Sequence, residues 1–396
     1  MQSQATVCVI GNGAVGKAAA LAFAQAGLDV ALLQPPVHAA AAAGGADWDL
    51  RVYALNQVAR SLLSSLRVWQ ALDASRVAAV DAMDVKGDGA QPGNLVFDAY
   101  GARTNALAWI VEDRNLNQAL DAALRFAPSL RMVTGSAVAL RQQSDRAVVT
   151  LADGTSIEAA LVVGADGAES WVRGQCDIGL DYRSYGQQAV VANFECEKPH
   201  GGVACQWFTS SDGVVALLPL PGQRLSLVWS APEALAQSLL AAPVAQLAER
   251  LTVLSGHRFG QLKPLQPEAA RAFPLRLVRP HAIVAPRVAL VGDAAHVVHP
   301  LAGHGMNLGF ADVEALVRIV VGREAHRDAG DERVLARFGR ARKEDIFLMQ
   351  FATDGLERLF AADLEPVRLL RNVGLNLVNS LPVLKRALIT QAMGKR

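Results

Sequence analysis

Three glycine-rich segments carry the residue types that hold a phosphorylated, flat ligand against bare backbone. The first is Gly11-Asn12-Gly13-Ala14-Val15-Gly16, between an apolar β-branched run and an Ala/Leu-rich helical one. In a GxGxxG turn of this kind Gly11 permits the tight bend, Gly13 lets a diphosphate reach the main chain, and Gly16 lets helix and strand pack closely. Ala14 and Val15 complete this cofactor-binding turn, and the helix that follows has first N–H groups without intrahelical partners and a dipole whose positive end faces phosphate. The acidic residue that commonly grips a ribose about 20 residues further on is replaced by Gln34, which can hydrogen-bond a hydroxyl without adding charge.

A second segment, Gly164-Ala165-Asp166-Gly167, follows an apolar run and leads to Ser170, a helix-capping residue type, and to Arg173 in the first helical turn. Read by itself, Asp166-Gly167 is equally an ordinary turn. The third, Gly292-Asp293-Ala294-Ala295-His296, continues through Pro300, Gly303, Gly305, Met306 and Asn307. At the carboxyl end of a strand, Asp293 can accept two hydroxyl hydrogen bonds from a sugar-like chain. Gly303, His304 and Gly305 bring bare backbone close to a flat ring, and the helix opening near Met306 aims its positive end there. A flavin dinucleotide unites the three. Its diphosphate would lie on the first turn and its ribityl chain on Asp293, with the helix end facing the ring side that gathers negative charge on reduction.

His296, His299 and His304 match neither a helical HxxxH nor a zinc-finger tail, and no acidic or thiolate cluster accompanies them. Packing around the cofactor is the expectation, and no metal site. Cys8, Cys176, Cys196 and Cys205 form no CxxC pair, which argues against a disulfide scaffold and a dithiol flavoprotein and fits a reducing cytoplasm. There is no GxSxG elbow, and so no serine hydrolase of that type.

The elements that must position these corners follow from periodicity. Thr6–Ile10, a helix over Lys17–Ala26 and Asp29–Leu33 make a βαβ unit. Ala39–Gly45 reads as a surface loop, and Ala54–Trp69 as a helix. Leu116, Leu120 and Leu124 mark one face of another helix, while Val133–Leu140, Ala147–Leu151 and Ser156–Val163 read as strands. Gln188–Glu195, Cys205–Thr209, Val214–Leu220 and Leu225–Ser230 crowd together with Gly/Pro punctuation, which predicts an antiparallel sheet distinct from the first unit. Helices are expected over Ala234–Leu254 and Met306–Val321, with the strand Arg287–Val291 between them and helix to the chain end.

The fold class is therefore α/β with an α+β second domain: a Rossmann-like dinucleotide-binding domain (1–75, 101–180, 273–330), an interrupting antiparallel-sheet substrate domain (76–100, 181–272) and a helical C-terminal region (331–396). A length of 396 residues agrees with more than one domain, and 52% hydrophobic against 19% charged residues predicts large cores rather than disorder. A net charge of +1 offers no global field for nucleic acid. No apolar run reaches the roughly 18 residues of a membrane span, and no charged leader precedes the first strand, so a cytoplasmic chain is expected.

These segments resemble the FAD-dependent aromatic-ring monooxygenases of the para-hydroxybenzoate hydroxylase fold, and within them the ubiquinone-biosynthesis hydroxylases. The resemblance extends to Arg51-Val-Tyr-Ala-Leu55, Trp109 to Leu116, Leu217-Leu-Pro-Leu220, Ser226 to Ser230, and a terminal Leu381 to Ala387 near Gln391 to Gly394. It implies that Gly11, Gly13 and Gly16 hold the FAD diphosphate, that Arg114 meets the ribityl–phosphate region and that Arg51 lies close to the flavin. Asp166 would belong to a motif serving both FAD and NAD(P)H. Gly292 and Asp293 would take the ribityl hydroxyls, and Pro300, Gly303, Gly305, Met306 and Asn307 would line the ring. Departures are Gln34 for the usual acid and His304 where glutamine is common.

The activity implied is hydroxylation of a hydrophobic prenylated phenol with NAD(P)H and dioxygen, through a flavin hydroperoxide, with no protein acid–base catalyst required. Phe194, Phe208, Leu217, Leu218, Pro219, Leu220 and Trp229 are candidates for an apolar wall over the ring, and each can equally be plain core. Pro366–Arg396 carries Arg368, Arg371, Lys385, Arg386, Lys395 and Arg396 without an acidic residue. It fits a basic amphipathic surface on the inner face of an anionic membrane, or a helix packed on the domain with its cations outward. Two rival functions are a flavin dehydrogenase without oxygen insertion and a non-catalytic scaffold of a biosynthetic complex. Bound flavin and oxygen incorporation discriminate them.

Overall fold

A computed structural model describes residues 2–36, 48–88, 92–266, 268, 270–299 and 303–361, together with Asn372, Asn376 and Asn379. The apolar run at the N-terminus forms the strand Gln2–Ile10, at the centre of a mostly parallel sheet. Val30–Gln34 and Leu130–Thr134 extend it on one side, Ser156–Gly164 and Val288–Leu290 on the other, all parallel. Their near-continuous hydrophobicity is what a parallel sheet covered on both faces requires. The helices Ala14–Gln25, Asp113–Arg125 and His304–Val321 cover one face through Phe23, Leu120 and Phe310. The other face gathers Leu140, Val149, Val162, Val172 and Leu290.

Register explains why distant glycine segments meet. Ile10 pairs with both Leu33 and Gly164, and Gly164 pairs with Leu290. Three adjacent strands thus end level, and the chain leaves them into Gly11, Ala165 and Val291 along one carboxyl edge, where open α/β sheets bind ligands.

The second sheet runs Leu262–Pro264, Leu180–Cys196, Arg224–Pro232, Gly213–Leu220, Val203–Thr209, Ala82–Lys86, Asn94–Asp98. Arg271–Pro280 also pairs with Leu180–Cys196. Its strands alternate. Val215, Leu217, Leu227 and Trp229 face a core closed by the helices Glu233–Ala241 and Val244–Leu254, and their neighbours face the other way. A small antiparallel sheet of Val52–Leu55, Ala108–Glu112 and Val77–Val80 lies between the two. The hairpin Ala82–Asp98 joins the second sheet, whereas Val77–Val80 pairs in the small one.

Several expectations are corrected. Ala54–Trp69 is not one helix: Ala54 pairs with Ile110 in a strand, and the helix Gln57–Ser65 starts only after Asn56, whose Oδ1 accepts from Ala59 N at 3.0 Å. Ala234–Leu254 is split at Pro243, which caps the second helix because it has no N–H to continue the first. Val133–Leu140 is two strands, Leu130–Thr134 and Ala137–Gln142, pairing with different partners across Gly135. Gln188–Glu195 is part of a longer strand, Leu180–Cys196, whose polar first half conceals its period around a bulge at Ser184/Gln188.

Ala39–Gly45 and Pro300 lie outside the described residues, as does Pro366–Arg396 apart from the three asparagines. These stand at helical spacing and bind the edge of the second sheet. Asn372 Nδ2 donates to Asp88 O (2.8 Å), while Asn376 Oδ1 accepts from Asn94 N (2.9 Å) and Asn379 Oδ1 from Val96 N (3.2 Å). Side-chain amides thus occupy main-chain groups that an edge strand would otherwise expose.

Candidate active site

Each corner is shaped by positions that tolerate no side chain. Gly11 sits at φ +130°, and a Cβ there would run into the Ala165 carbonyl; a Cβ on Gly16 would strike the carbonyl of Gly11. Gly13 is different: nothing stands within 4 Å of its Cβ direction. It caps the helix Ala14–Gln25, so the free N–H groups of that first turn face open space. Asn12, Gly13, Ala14 and Val15 line a cavity of about 940 Å³.

The second corner is a self-contained turn. Asp166 accepts from Ser170 Oγ (2.5 Å) and Val172 N (3.0 Å), and Ser170 Oγ accepts from Arg173 N (3.0 Å). Arg173 then donates to Ala168 O (2.8 Å) and, across to the third corner, to Ala294 O (3.0 Å). Ala165 and Gly167 line the cavity, whereas the Asp166 side chain is spent on holding the turn.

The third corner hangs on a buried charge cluster. Asp312, in the helix His304–Val321, accepts from Gly292 N (2.9 Å), lies 2.6 Å from His296 Nε2 and takes Arg342 Nε at 2.7 Å. Burial pushes its carboxyl up, but the charges and hydrogen bonds of His296 and Arg342 outweigh this and hold it below the usual range. Gly292 packs on Val15 of the first corner. Asp293 is left facing the cavity, with its side chain exposed there. The protein crowded around it raises its pKa, against the opposing pull of His296, Arg51 and Arg276.

Asn307 completes this rim. Its Nδ2 donates to Ala54 O (2.8 Å) and Gly303 O (3.1 Å), and its Oδ1 accepts from Asn56 N (2.9 Å). The helix start is thereby stitched to the strand Val52–Leu55, which carries Tyr53 and follows Arg51. Gly303, at φ +67°, lies against Ala54, while Gly305 has nothing within 4 Å of its Cβ direction. Gly303, Gly305, Met306 and Asn307 all line the cavity.

Of the expected residues, Gly13, Ala14, Val15, Arg51, Asp293, Gly303, Gly305, Met306, Asn307 and Leu218 meet at this one cavity. Gly11, Gly16 and Gly292 stand behind it as packing positions. Gln34 lies away from it, its amide 4.0 Å from Met132 Sδ. Arg114 is set beside it, its backbone N–H donating to Asp49 Oδ2 (3.1 Å), the same carboxylate that accepts from Arg51 N (3.0 Å). Tyr53 and Asp113 are cavity residues that sequence reasoning missed, joined by a 2.7 Å hydrogen bond from Tyr53 Oη. Burial raises the Tyr53 phenol.

The far wall also departs from expectation. Phe194, Leu217 and Trp229 point into the helix-covered core, and Phe208 packs with Val85 and Leu95. Pro219 does not line the cavity, and Leu220 packs with Ala78, Val80 and Ile110. Because side chains alternate along a strand, the wall is built of Gln206, Val214, Ala216, Leu218, Val228 and Ser230 instead, with Phe97 of the same sheet and with Val80 and Ile110 of the small sheet. The signal was the small-residue alternation, which large aromatics outshone. Among the described residues no cluster of three potential ligand side chains could hold a metal, and no helix is long and apolar enough to cross a membrane.

An open glycine cradle at a helix start, an aspartate facing the cavity from a strand end and a second helix start across from it fit the three parts of an FAD molecule. Residues 4–345 match the family described as FAD binding domain. The chain is 38% identical to 3-demethoxyubiquinol 3-hydroxylase of Escherichia coli over the whole of both chains. It is 36% identical to ubiquinone hydroxylase UbiL of Rhodospirillum rubrum, over 98% of this chain and 90% of that one. The solved p-nitrophenol 4-monooxygenase PnpA of Pseudomonas putida superposes with a TM-score of 0.78 over 100% of both chains at 18% identity, a likeness of fold. With level strand ends, a family model matched over residues 4–345 and a hydroxylase relative matched end to end, the chain belongs to the FAD-dependent ubiquinone hydroxylase family.

Proposed function

We propose that this protein is an FAD-dependent monooxygenase that hydroxylates the ring of a hydrophobic prenylated phenol, a ubiquinone precursor, using NAD(P)H and dioxygen. The observation that carries the reading is continuity. One cavity runs from the Gly13 cradle past Asp293 to an apolar wall on the second sheet. A cofactor held at one end can therefore act on a ring held at the other.

When bound, FAD supplies the redox chemistry: reduced by NAD(P)H, it activates dioxygen and delivers one oxygen atom to the ring. The protein's part is placement and dryness. The N–H groups after Gly13 hold the diphosphate, and Asp293 accepts from the ribityl hydroxyls. Gly303, Gly305, Met306 and Asn307 bring the helix dipole to the ring's electron-rich side. Val80, Phe97, Ile110, Ala216, Leu218 and Val228 exclude water from the reacting face, which protects activated oxygen from loss as peroxide. Residues on the parallel sheet serve the cofactor and those on the second sheet the substrate. The basic segment after Pro366 is the proposed contact with a membrane surface, from which a prenylated substrate would be collected.

Two measurements test the reading. The purified protein is expected to carry FAD. With a short-chain prenylphenol it is expected to oxidise NAD(P)H while incorporating one labelled oxygen atom from dioxygen into the product. A protein that stays colourless after FAD addition, or that oxidises NAD(P)H without labelling product, overturns it.

A further inference from the structure

The substrate half of the cavity is walled by uncharged side chains. The cations lining the cavity belong to its other half. Lys17 lies on the Gly13 helix and is paired with Asp121 at 2.7 Å, and Arg51 stacks near Tyr53 and Phe273. Among the described residues that line the cavity, none on the second sheet offers a ring carboxylate a counter-charge.

One amide interrupts that wall. Gln206 sits mid-strand, directly opposite Ala216, which in turn faces Val228. Its side chain lines the cavity, the residue is only 8% exposed, and no described residue hydrogen-bonds the amide. The amide thus opens its donors and acceptor to the cavity from an otherwise apolar wall, free for whatever enters it. Its same-face neighbours are small on two sides, Ala204 two residues back along the strand and Ala216 across, and large on the other two, Val85 and Phe208. On the Ala204 and Ala216 side the cavity wall beside the amide carries only methyl groups, which leaves that side for a flat ring. Ser230 also turns to the cavity. Its hydroxyl is a single rotor that can bond the backbone of its own strand, whereas an amide has two donors and an acceptor in one plane.

We infer that Gln206 is the anchor for the oxygen-bearing edge of a neutral phenol, with Oε1 accepting the phenolic O–H and Nε2 donating to an adjacent ring oxygen. The inference rests on the ring-hydroxylation reading above and deepens it: the substrate is a phenol without an acidic substituent, and one side chain fixes which ring position faces the cofactor.

The test uses the FAD-loaded full chain and two probes, 2-geranylphenol and its methyl ether, with binding read from the change in flavin absorbance. The native protein is expected to bind the phenol about tenfold more tightly than the ether, the value of one well-placed hydrogen bond. In Gln206→Leu that ratio should fall to near one, with FAD content and melting temperature unchanged. Gln206→Glu, which keeps the acceptor, should retain the preference, and it carries the test alone if the leucine variant does not fold. An unchanged ratio in Gln206→Leu, a lost preference in Gln206→Glu, or loss of FAD rather than of selectivity overturns the assignment. Native protein that binds neither probe overturns the ring-hydroxylation reading itself.

Discussion

The backbone N–H of Gly292 donates to the carboxylate of Asp312 at 2.9 Å, so the loop that presents Asp293 is positioned by a helix 20 residues further along the chain. The same carboxylate meets His296 and Arg342, and it is fully buried. Asp312→Ala would remove the buried carboxylate that His296 and Arg342 share, leaving the Arg342 guanidinium with Asp345 alone. We expect a loss of about 3–5 kcal/mol in stability. It should be visible as a lower melting temperature of the FAD-free protein, with faster FAD release in the surviving folded fraction.

Gly11 and Gly13 should respond oppositely to the same change. Gly11→Ala forces a Cβ into the Ala165 carbonyl at φ +130°, and the protein is expected to lose stability with or without FAD. Gly13 has ordinary backbone angles, φ −73° and ψ 169°, and open space ahead of it. Gly13→Ala is expected to fold with a near-native circular dichroism spectrum and to bind FAD at least about tenfold more weakly, because the methyl group occupies the phosphate's approach. Equal FAD affinity in Gly13→Ala would contradict the cradle.

Among the described residues Asp293 makes no hydrogen bond within the protein, and its place at the cavity wall is what the ribityl assignment uses. Asp293→Ala should therefore reduce FAD retention sharply in a desalting assay and leave the melting curve of the FAD-free protein nearly unchanged. Burial raises this carboxyl above its ordinary value of 3.8, so FAD affinity should begin to weaken at a higher pH than an exposed aspartate would give as the medium is acidified.

His299 is buried, with Nε2 3.2 Å from Gln187 Oε1 and the Tyr185 ring edge-on at 4.9 Å. Desolvation pushes its pKa down from 6.5 to about 4. The unfolded chain then takes up a proton before the folded one does. Stability is full above the unfolded value and falls as pH drops from about 6.5 to about 4, by roughly 3 kcal/mol in all. Asp312, held below 3.8, withdraws its own contribution only at lower pH, so the two windows separate. Denaturant titrations across this range should show a flatter profile for His299→Gln.

Ala216 faces the cavity while Val215 and Leu217 face the core, and the neighbours should differ accordingly. Ala216→Phe is expected to abolish prenylphenol binding with FAD still bound. Leu217→Ala, which opens a hole in the core, should cost about 2–5 kcal/mol without changing which substrates bind.

Much of this was legible in the residues. Gly11, Gly13 and Asp293 declared themselves because strain and backbone approach demand particular residue types. The second sheet was visible as crowded strands. What could not be read was facing. Trp229 and Phe194 stood out by size, yet large side chains fill the helix-covered core, and the cavity is walled by Ala216, Gln206 and Val228 one position away. Pairing partners decide which face is which, and those partners lie far off in sequence. Tyr53 was hidden for a related reason: the strand Val52–Leu55 is too short for a period and exists by pairing with Ala108–Glu112. Asp166, a motif residue by type, is used by its own turn.

The side-by-side ends of Ile10, Gly164 and Leu290 carry a consequence for how this chain can change. A strand advances about 3.3 Å per residue and flips its facing at each step. One codon gained or lost within any of the three would pull its corner back from the other two and turn its side chains over. Insertions and deletions should therefore survive in places such as the turn between Gln142 and Ala147, beyond the reach of the grip, while these three spans keep their lengths as descendants diverge.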